Sequence, residues 1–440
     1  GLATTERLSL ASDASGQRLA TRSPLAAARW GRLQHVTSAG MSLTAEPGYS
    51  PPVAPAPTVL DERAPVANLT RNIVIQGIDD AAWRSAGFGA HVMVMDLRSK
   101  IVIDGVEMRR MGQAGALGRY PMHWHMLSYA NGSLLGDAIG HSIKNSAIWQ
   151  SAQRCIVLHA TNGVEVRNNI CHDIAGHAYF LEDAVERRNV IEGNLALMIR
   201  SPAAGKALKV HETPIFQAGA SGFWLTNPDN TVRANLAGDA QGNGFWLSFA
   251  RKPSGPSANV ALLPDRLPLG VFDDNIAHSN GQPGINLDWV VQDEAGNVAP
   301  SRYMPTVDGS ESRSDNTLRV AMRRNTVYKN GGHGLWNRVN RPDYPEWVSA
   351  DNAGVHFAGA GDDGVISRGL LVGQSLNHSG AYPPGAQLPS AFATYHSTFA
   401  MRDNTAVNFA FVDGQSSGVF RTNDYYTLGV DKGTARNGNN

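Results

Sequence analysis

Three histidines and two carboxylates carry the strongest chemical signal in this chain: His123, His125, His159, Glu182 and Asp183. Imidazole nitrogens and carboxylate oxygens ligate divalent metals. The same groups pass protons to and from substrates near neutral pH. His123 and His125 are two residues apart, so on a strand both project from one face. His177 precedes Glu182 by five positions. Aromatic residues follow at Phe180, Trp224 and Trp246, with flat faces suited to stacking on sugar rings.

Residues so far apart in sequence converge only if the chain returns at a regular interval, and an internal repeat supplies one. Asn169-Ile-Cys-His-Asp-Ile-Ala-Gly-His-Ala-Tyr-Phe-Leu181 aligns without gaps to the stretches Asn235 to Leu247 and Asn275 to Leu287. A fourth copy starts at Asn325, a degenerate one at Ser146, and another at Asn194. Each copy is strand, turn, strand, with a spacing of 22 or 23 residues where no insertion intervenes. One such unit cannot bury its own apolar face, so the copies must stack. That length per coil fits a three-walled parallel β-helix of about a dozen coils. The repeated Asn predicts a ladder of amide hydrogen bonds from coil to coil.

Stacking assigns neighbours. Leu158, Leu181, Leu225, Leu247 and Leu287 fall in one inward column, with Trp124 at its head. The flanking positions then point outward. One outward column reads His123, Val157, Phe180, Trp224, Trp246, Asn286, and the other His125, His159, Glu182, Thr226, Ser248, Asp288. Neighbouring coils lie ~4.8 Å apart, so His123, His125, His159 and Glu182 share one patch able to surround a divalent ion (Ca, Zn or Mn). Glu182 with Asp183 or Asp288 would be the carboxylate pair of a glycosidase. His159 or His177 would be a proton carrier, while Tyr120, Phe180, Trp224, Trp246 and Asp288 line the groove. The alternative for the Trp column is packing beneath the insertion at about 200–220. His172, His278 and His333 read as turn-bonding residues.

Composition narrows the classes. There are 38 basic and 38 acidic side chains, and charged residues are only 17% of the chain. Zero net charge argues against nucleic acid as a partner. No apolar run is long enough for a membrane-spanning helix. The 46 glycines and 23 prolines match many short strands with many turns. Cys155 and Cys171 occupy different columns, so two buried thiols are expected rather than a bridge. Residues 1–60, with the Pro-rich stretch Pro47 to Pro57, read as an N-terminal cap and linker. Residues 61–440 read as the β-helix, with the tail after Gly429 helping to cap its far end. The missing initiator Met fits a processed form or an excised piece, and nothing specifies an oligomer.

Four stretches resemble the CEMIP-like cell-surface hyaluronidases and their fibrocystin-like relatives: Leu69 to Gly77, Gly118 to Met126, Arg154 to His159, and Gly176 to Asp183 continuing to Leu197. The resemblance implies a right-handed parallel β-helix, turnover or binding of hyaluronan outside the cell, and divalent-cation dependence. It carries over onto Arg119, His123, His125, His159, His177, Glu182 and Asp183. The first seventy residues do not give that family's full glycine-rich domain, and its lectin-like module is absent, as in a compact microbial-style relative acting on a different glycan. The leading expectation is a secreted or periplasmic enzyme that cleaves an acidic polysaccharide, as hydrolase or lyase, with metal assistance and Arg119 in substrate binding. The alternatives are a non-catalytic glycan-binding β-helix with a structural metal site, and a purely structural solenoid.

Overall fold

Short strands rich in β-branched and aromatic residues, separated by Asn and Gly turns, wind into coils that place three strands on three walls. A computed structural model describes residues 30–32, 59–214, 219–293, 297–378, 388–394, 399–410 and 418–420. Among the described residues the first wall holds eleven parallel strands, from Ile73–Gln76 to Thr405–Val407. The second holds eleven, from Val92–Val94 to Gly418–Phe420. The third is split into six strands, Val102–Asp104 to Val271–Asp273, and four, Val320–Ala321 to Phe399–Arg402. This is the three-walled parallel β-helix that the repeat predicts.

The columns hold residue for residue. On the second wall His123 pairs with Val157, Trp124 with Leu158 and His125 with His159. Val157 pairs with Phe180, Phe180 with Trp224, and Trp224 with Trp246. Trp124, Leu158, Leu181, Leu225, Leu247 and Leu287 all lie in the buried interior. Tyr179, Phe223 and Phe245 stack in series there, with ring centroids 4.5 Å apart. Burying each such side chain contributes roughly 1.5–3 kcal/mol.

Asn169, Asn194, Asn235, Asn275 and Asn325 form the predicted ladder. Each backbone N–H in the run donates to the side-chain oxygen of the next Asn at 2.9–3.1 Å. Each side-chain amide from Asn169 to Asn275 returns a bond to a carbonyl of the preceding coil. The corner amides are fully buried and fully used, which is why the repeat keeps Asn there.

The cysteines correct the sequence reading: Cys155 and Cys171 form a disulfide, with Cα atoms 6.2 Å apart. Different columns belong to different walls, but inward side chains from two walls of one coil meet across the narrow interior. The expected cap over residues 1–60 and the tail after Gly429 lie almost wholly outside the described residues. Trp30–Arg32 pairs antiparallel with Pro65–Ala67. Leu60 shares a buried cluster with Val348 and Leu370, and Ala67 one with Ile170 and Leu195, so this segment runs along the outside of the first wall.

Candidate functional site

The outer face of the second wall lines a cavity of about 700 Å³ near the N-terminal coils. His123, His125, His159, Glu182 and Asp183 line it, with Arg119 at its exposed edge. Strand Met122–His125 supplies two imidazoles, strand Ile156–His159 the third, and the residue after Tyr179–Leu181 the carboxylate. The convergence predicted from columns is therefore present. The rings of His123 and His159 lie parallel at 5.9 Å, and His125 meets each edge-on at 5.0 and 5.1 Å.

Hydrogen-bond partners fix which nitrogens face inward. His123 Nδ1 lies 3.1 Å from the Gly118 carbonyl, which can only accept, so Nδ1 carries the proton. Its Nε2 is buried without a hydrogen-bond partner. His159 Nε2 lies 2.8 Å from Asp183 Oδ2, which leaves Nδ1 facing His125 Nδ1 at 3.2 Å. One ligand atom from each of the three rings falls within 4.8 Å of the others. A buried, orphaned imidazole nitrogen amid a set of converging nitrogens fits a divalent cation.

Glu182 is the carboxylate of the predicted set that faces the cavity with an oxygen outside any hydrogen bond. Its Oε1 lies 3.7 Å from Arg154 Nη1, and its Oε2 3.8 Å from His159 Nδ1. Burial and the neighbouring imidazoles hold the His123 pKa down at about 2. Burial also opposes charging of His159, but Glu182 and Asp183 override it and raise that ring to about 9. Burial lowers His125 as well.

Other predicted residues are placed differently. Trp224 and Trp246 are buried rather than exposed, so they offer no open stacking platform. They face outward from the wall, but the insertion folds over them: His211 stacks on Trp224 with ring centroids 4.0 Å apart. Trp224 still lines the cavity, whereas Trp246 does not. His177 is fully buried, accepts from the Ser221 N–H at Nδ1 and meets His211 Nδ1 through Nε2 at 2.9 Å. It anchors the insertion and does not line the cavity. Asp288 also lies off the cavity, held by the Trp336 indole N–H at 2.9 Å, the Ser301 N–H at 2.9 Å and Arg338 at 3.3 Å. Tyr120 and Phe180 do line the cavity, although both are buried.

Sequence reasoning missed Arg154 and the loops that meet it. Arg154 is wholly buried, pairs with Glu212 of the insertion at 2.6 Å, donates to the Tyr120 hydroxyl at 3.1 Å and lies 3.7 Å over the Phe180 ring. A charged residue directly before an apolar strand was the available signal.

Beneath the site, Glu186 accepts the N–H groups of Ala160 and Asp183 and the Thr226 hydroxyl. Burial, then the charge of Asp183, raises its pKa from 4.5 to about 7. The fold therefore favours protonated Glu186, and its ionisation costs stability progressively as pH rises from about 4.5 to about 7. Glu186→Gln keeps an acceptor for those N–H groups and removes the ionisation. The melting temperature of the variant should therefore fall less than that of the parent between pH 5 and pH 8. Parallel curves would place the titration elsewhere.

A family profile described as a β-helix agrees with this architecture. Residues 87–285 match the family profile described as CEMIP beta-helix. The human cell surface hyaluronidase CEMIP2 is 31% identical over 367 residues, covering 72% of this chain and 26% of that protein. Mouse fibrocystin-L is 33% identical over 292 residues, 58% of this chain and 6% of the relative. The chain thus spans about a quarter or less of these two relatives. Among solved structures, the mannuronan C-5 epimerase AlgE6 A-module of Azotobacter vinelandii aligns over 73% of this chain and 74% of its own, at 13% identity and a TM-score of 0.33. No helix among the described residues is long and apolar enough to cross a membrane.

Proposed function

We propose that the chain, whose residues 87–285 match the CEMIP β-helix profile, is an extracellular enzyme that cleaves an acidic polysaccharide such as hyaluronan in the cavity on its second wall. The observation that carries this reading is the juxtaposition of three converging imidazoles with a cavity-facing carboxylate, Glu182. Relatives named cell surface hyaluronidase, from human and from Danio rerio, support the substrate class. The Cys155–Cys171 disulfide supports an oxidising compartment.

His123, His125 and His159 would hold a divalent cation. When bound there it supplies positive charge to neutralise a uronate carboxylate or polarise an oxygen of the substrate. Glu182 exchanges the proton with the sugar, and Arg154 keeps its carboxylate at the cavity wall. Arg119 meets substrate charge at the exposed edge. Tyr120, Phe180 and Trp224 of the buried aromatic cluster line the cavity. Asp288 lies outside the cavity and Asp183 is engaged by His159, so a hydrolysis built on two free carboxylates has little support in the predicted set.

The test is a panel of acidic polysaccharides (hyaluronan, chondroitin, alginate, polygalacturonate) incubated with the protein, with and without chelator. Shortened chains are expected, and chelator should abolish them. Unsaturated products absorbing in the ultraviolet assign elimination, and their absence assigns hydrolysis. Tight binding with no shortening anywhere in the panel would replace the enzyme by a glycan-binding module.

A further inference from the structure

Asp183 is clamped on several sides. Its Oδ2 meets His159 Nε2 at 2.8 Å and the Ser257 hydroxyl at 2.8 Å. Its backbone carbonyl accepts the Ser254 N–H at 3.1 Å, and its own N–H donates to Glu186 at 2.8 Å. The turn that brings Ser254 and Ser257 over the site approaches closely because residue 255 is glycine. That residue has φ +56°, and a Cβ there would come within 2.9 Å of Asp183 Oδ1. A carboxylate so engaged has its reach spent on orienting a neighbour.

His159 and His123 share one pattern. Each gives one ring nitrogen to an oxygen, His159 Nε2 to Asp183 and His123 Nδ1 to the Gly118 carbonyl, and keeps the other outside those bonds, in a cluster whose ligand atoms lie within 4.8 Å of one another. Oxygen partners of this kind fix ring orientation and raise ligand basicity. Calcium takes six to eight oxygen ligands, whereas imidazole suits zinc and its first-row neighbours.

We infer that Asp183, oriented by Ser257, is a positioning residue that holds His159 with Nδ1 turned into the cavity, and that the aligned imidazoles select a transition cation of the zinc class over calcium. This rests on the metal-holding part of the proposed function and is independent of the glycan.

Metal-free protein titrated calorimetrically with zinc alone should bind one ion per chain. Cobalt(II) in its place should show the visible absorption of an imidazole-ligated ion, and millimolar calcium should displace neither. Asp183→Asn should weaken zinc binding about 10–100-fold and alter the cobalt spectrum, while far-ultraviolet circular dichroism stays unchanged. Ser257→Ala should give a smaller loss in the same direction, and it carries the test if Asp183→Asn does not fold. Calcium binding without zinc binding would overturn the inference, as would parental zinc affinity in the folded variants. A protein that binds zinc but cleaves no polysaccharide removes the glycan reading and leaves this inference standing. Cleavage unaffected by chelator in a protein that binds no zinc does the reverse.

Discussion

Glu182→Gln should abolish polysaccharide cleavage while leaving the protein folded. The substitution keeps shape and volume and removes the group that exchanges a proton. The expected loss is about 10²–10⁴-fold in turnover, the usual contribution of a positioned general acid or base. Stability should change little, because the side chain is partly open to the cavity and its contact with Arg154 is a long 3.7 Å. Arg154 retains Glu212 and Tyr120 as partners in the variant. The measurement pairs initial rates of chain shortening with a denaturant melt and a binding isotherm for the same polysaccharide. Retained affinity with lost turnover supports catalysis by Glu182. Retained turnover would move the proton transfer to another residue and refute the assignment.

Arg154→Met should be the most destabilising single change near the site. The guanidinium and the Glu212 carboxylate are both fully buried. Burial opposes ionisation of Glu212, and Arg154 overrides it, so the carboxylate stays charged with a lowered pKa. Removing the arginine leaves that charge in the interior without its partner, a loss of about 3–5 kcal/mol. The penalty should belong to the orphaned charge rather than to the lost side chain. Arg154→Met combined with Glu212→Gln should therefore recover most of the stability, since Gln still offers an acceptor to the Leu208 and Lys209 N–H groups. Urea unfolding of the parent, both single variants and the double variant gives the coupling directly. Purely additive losses would contradict this account. The same series should show the insertion loosening, because Glu212 and His211 are its anchors on the wall.

Much of the site was legible because the solenoid turns sequence spacing into distance. Once the Asn-to-Leu repeat is aligned, parallel pairing leaves one register, and a slip of one residue would expose the whole Leu column. That is why the sequence alone places His123, His125, His159 and Glu182 together, across gaps of 34 and 23 residues. Alternation also told inward from outward correctly for Trp224 and Trp246, yet outward did not mean exposed. What lies over an outward residue is set by chain outside the repeat, and the insertion near residue 210 has no column to read. Asp288 failed for a related reason: column membership is right, but Trp336, Ser301 and Arg338 take up its carboxylate.

The sequence by itself determined the walls, the register, the Asn ladder and the convergence of imidazoles with a carboxylate. These follow from a local rule, two-residue alternation within strands and one repeat per coil, that every copy restates. Only the tertiary structure decided which converging groups are available for chemistry. It joined Cys155 to Cys171 across the interior, sealed the tryptophans under His211 and committed Asp183 to His159 and Ser257. Those contacts link non-repeating loops to the coils over long separations, where shape, burial and hydrogen-bond competition in three dimensions decide the partners.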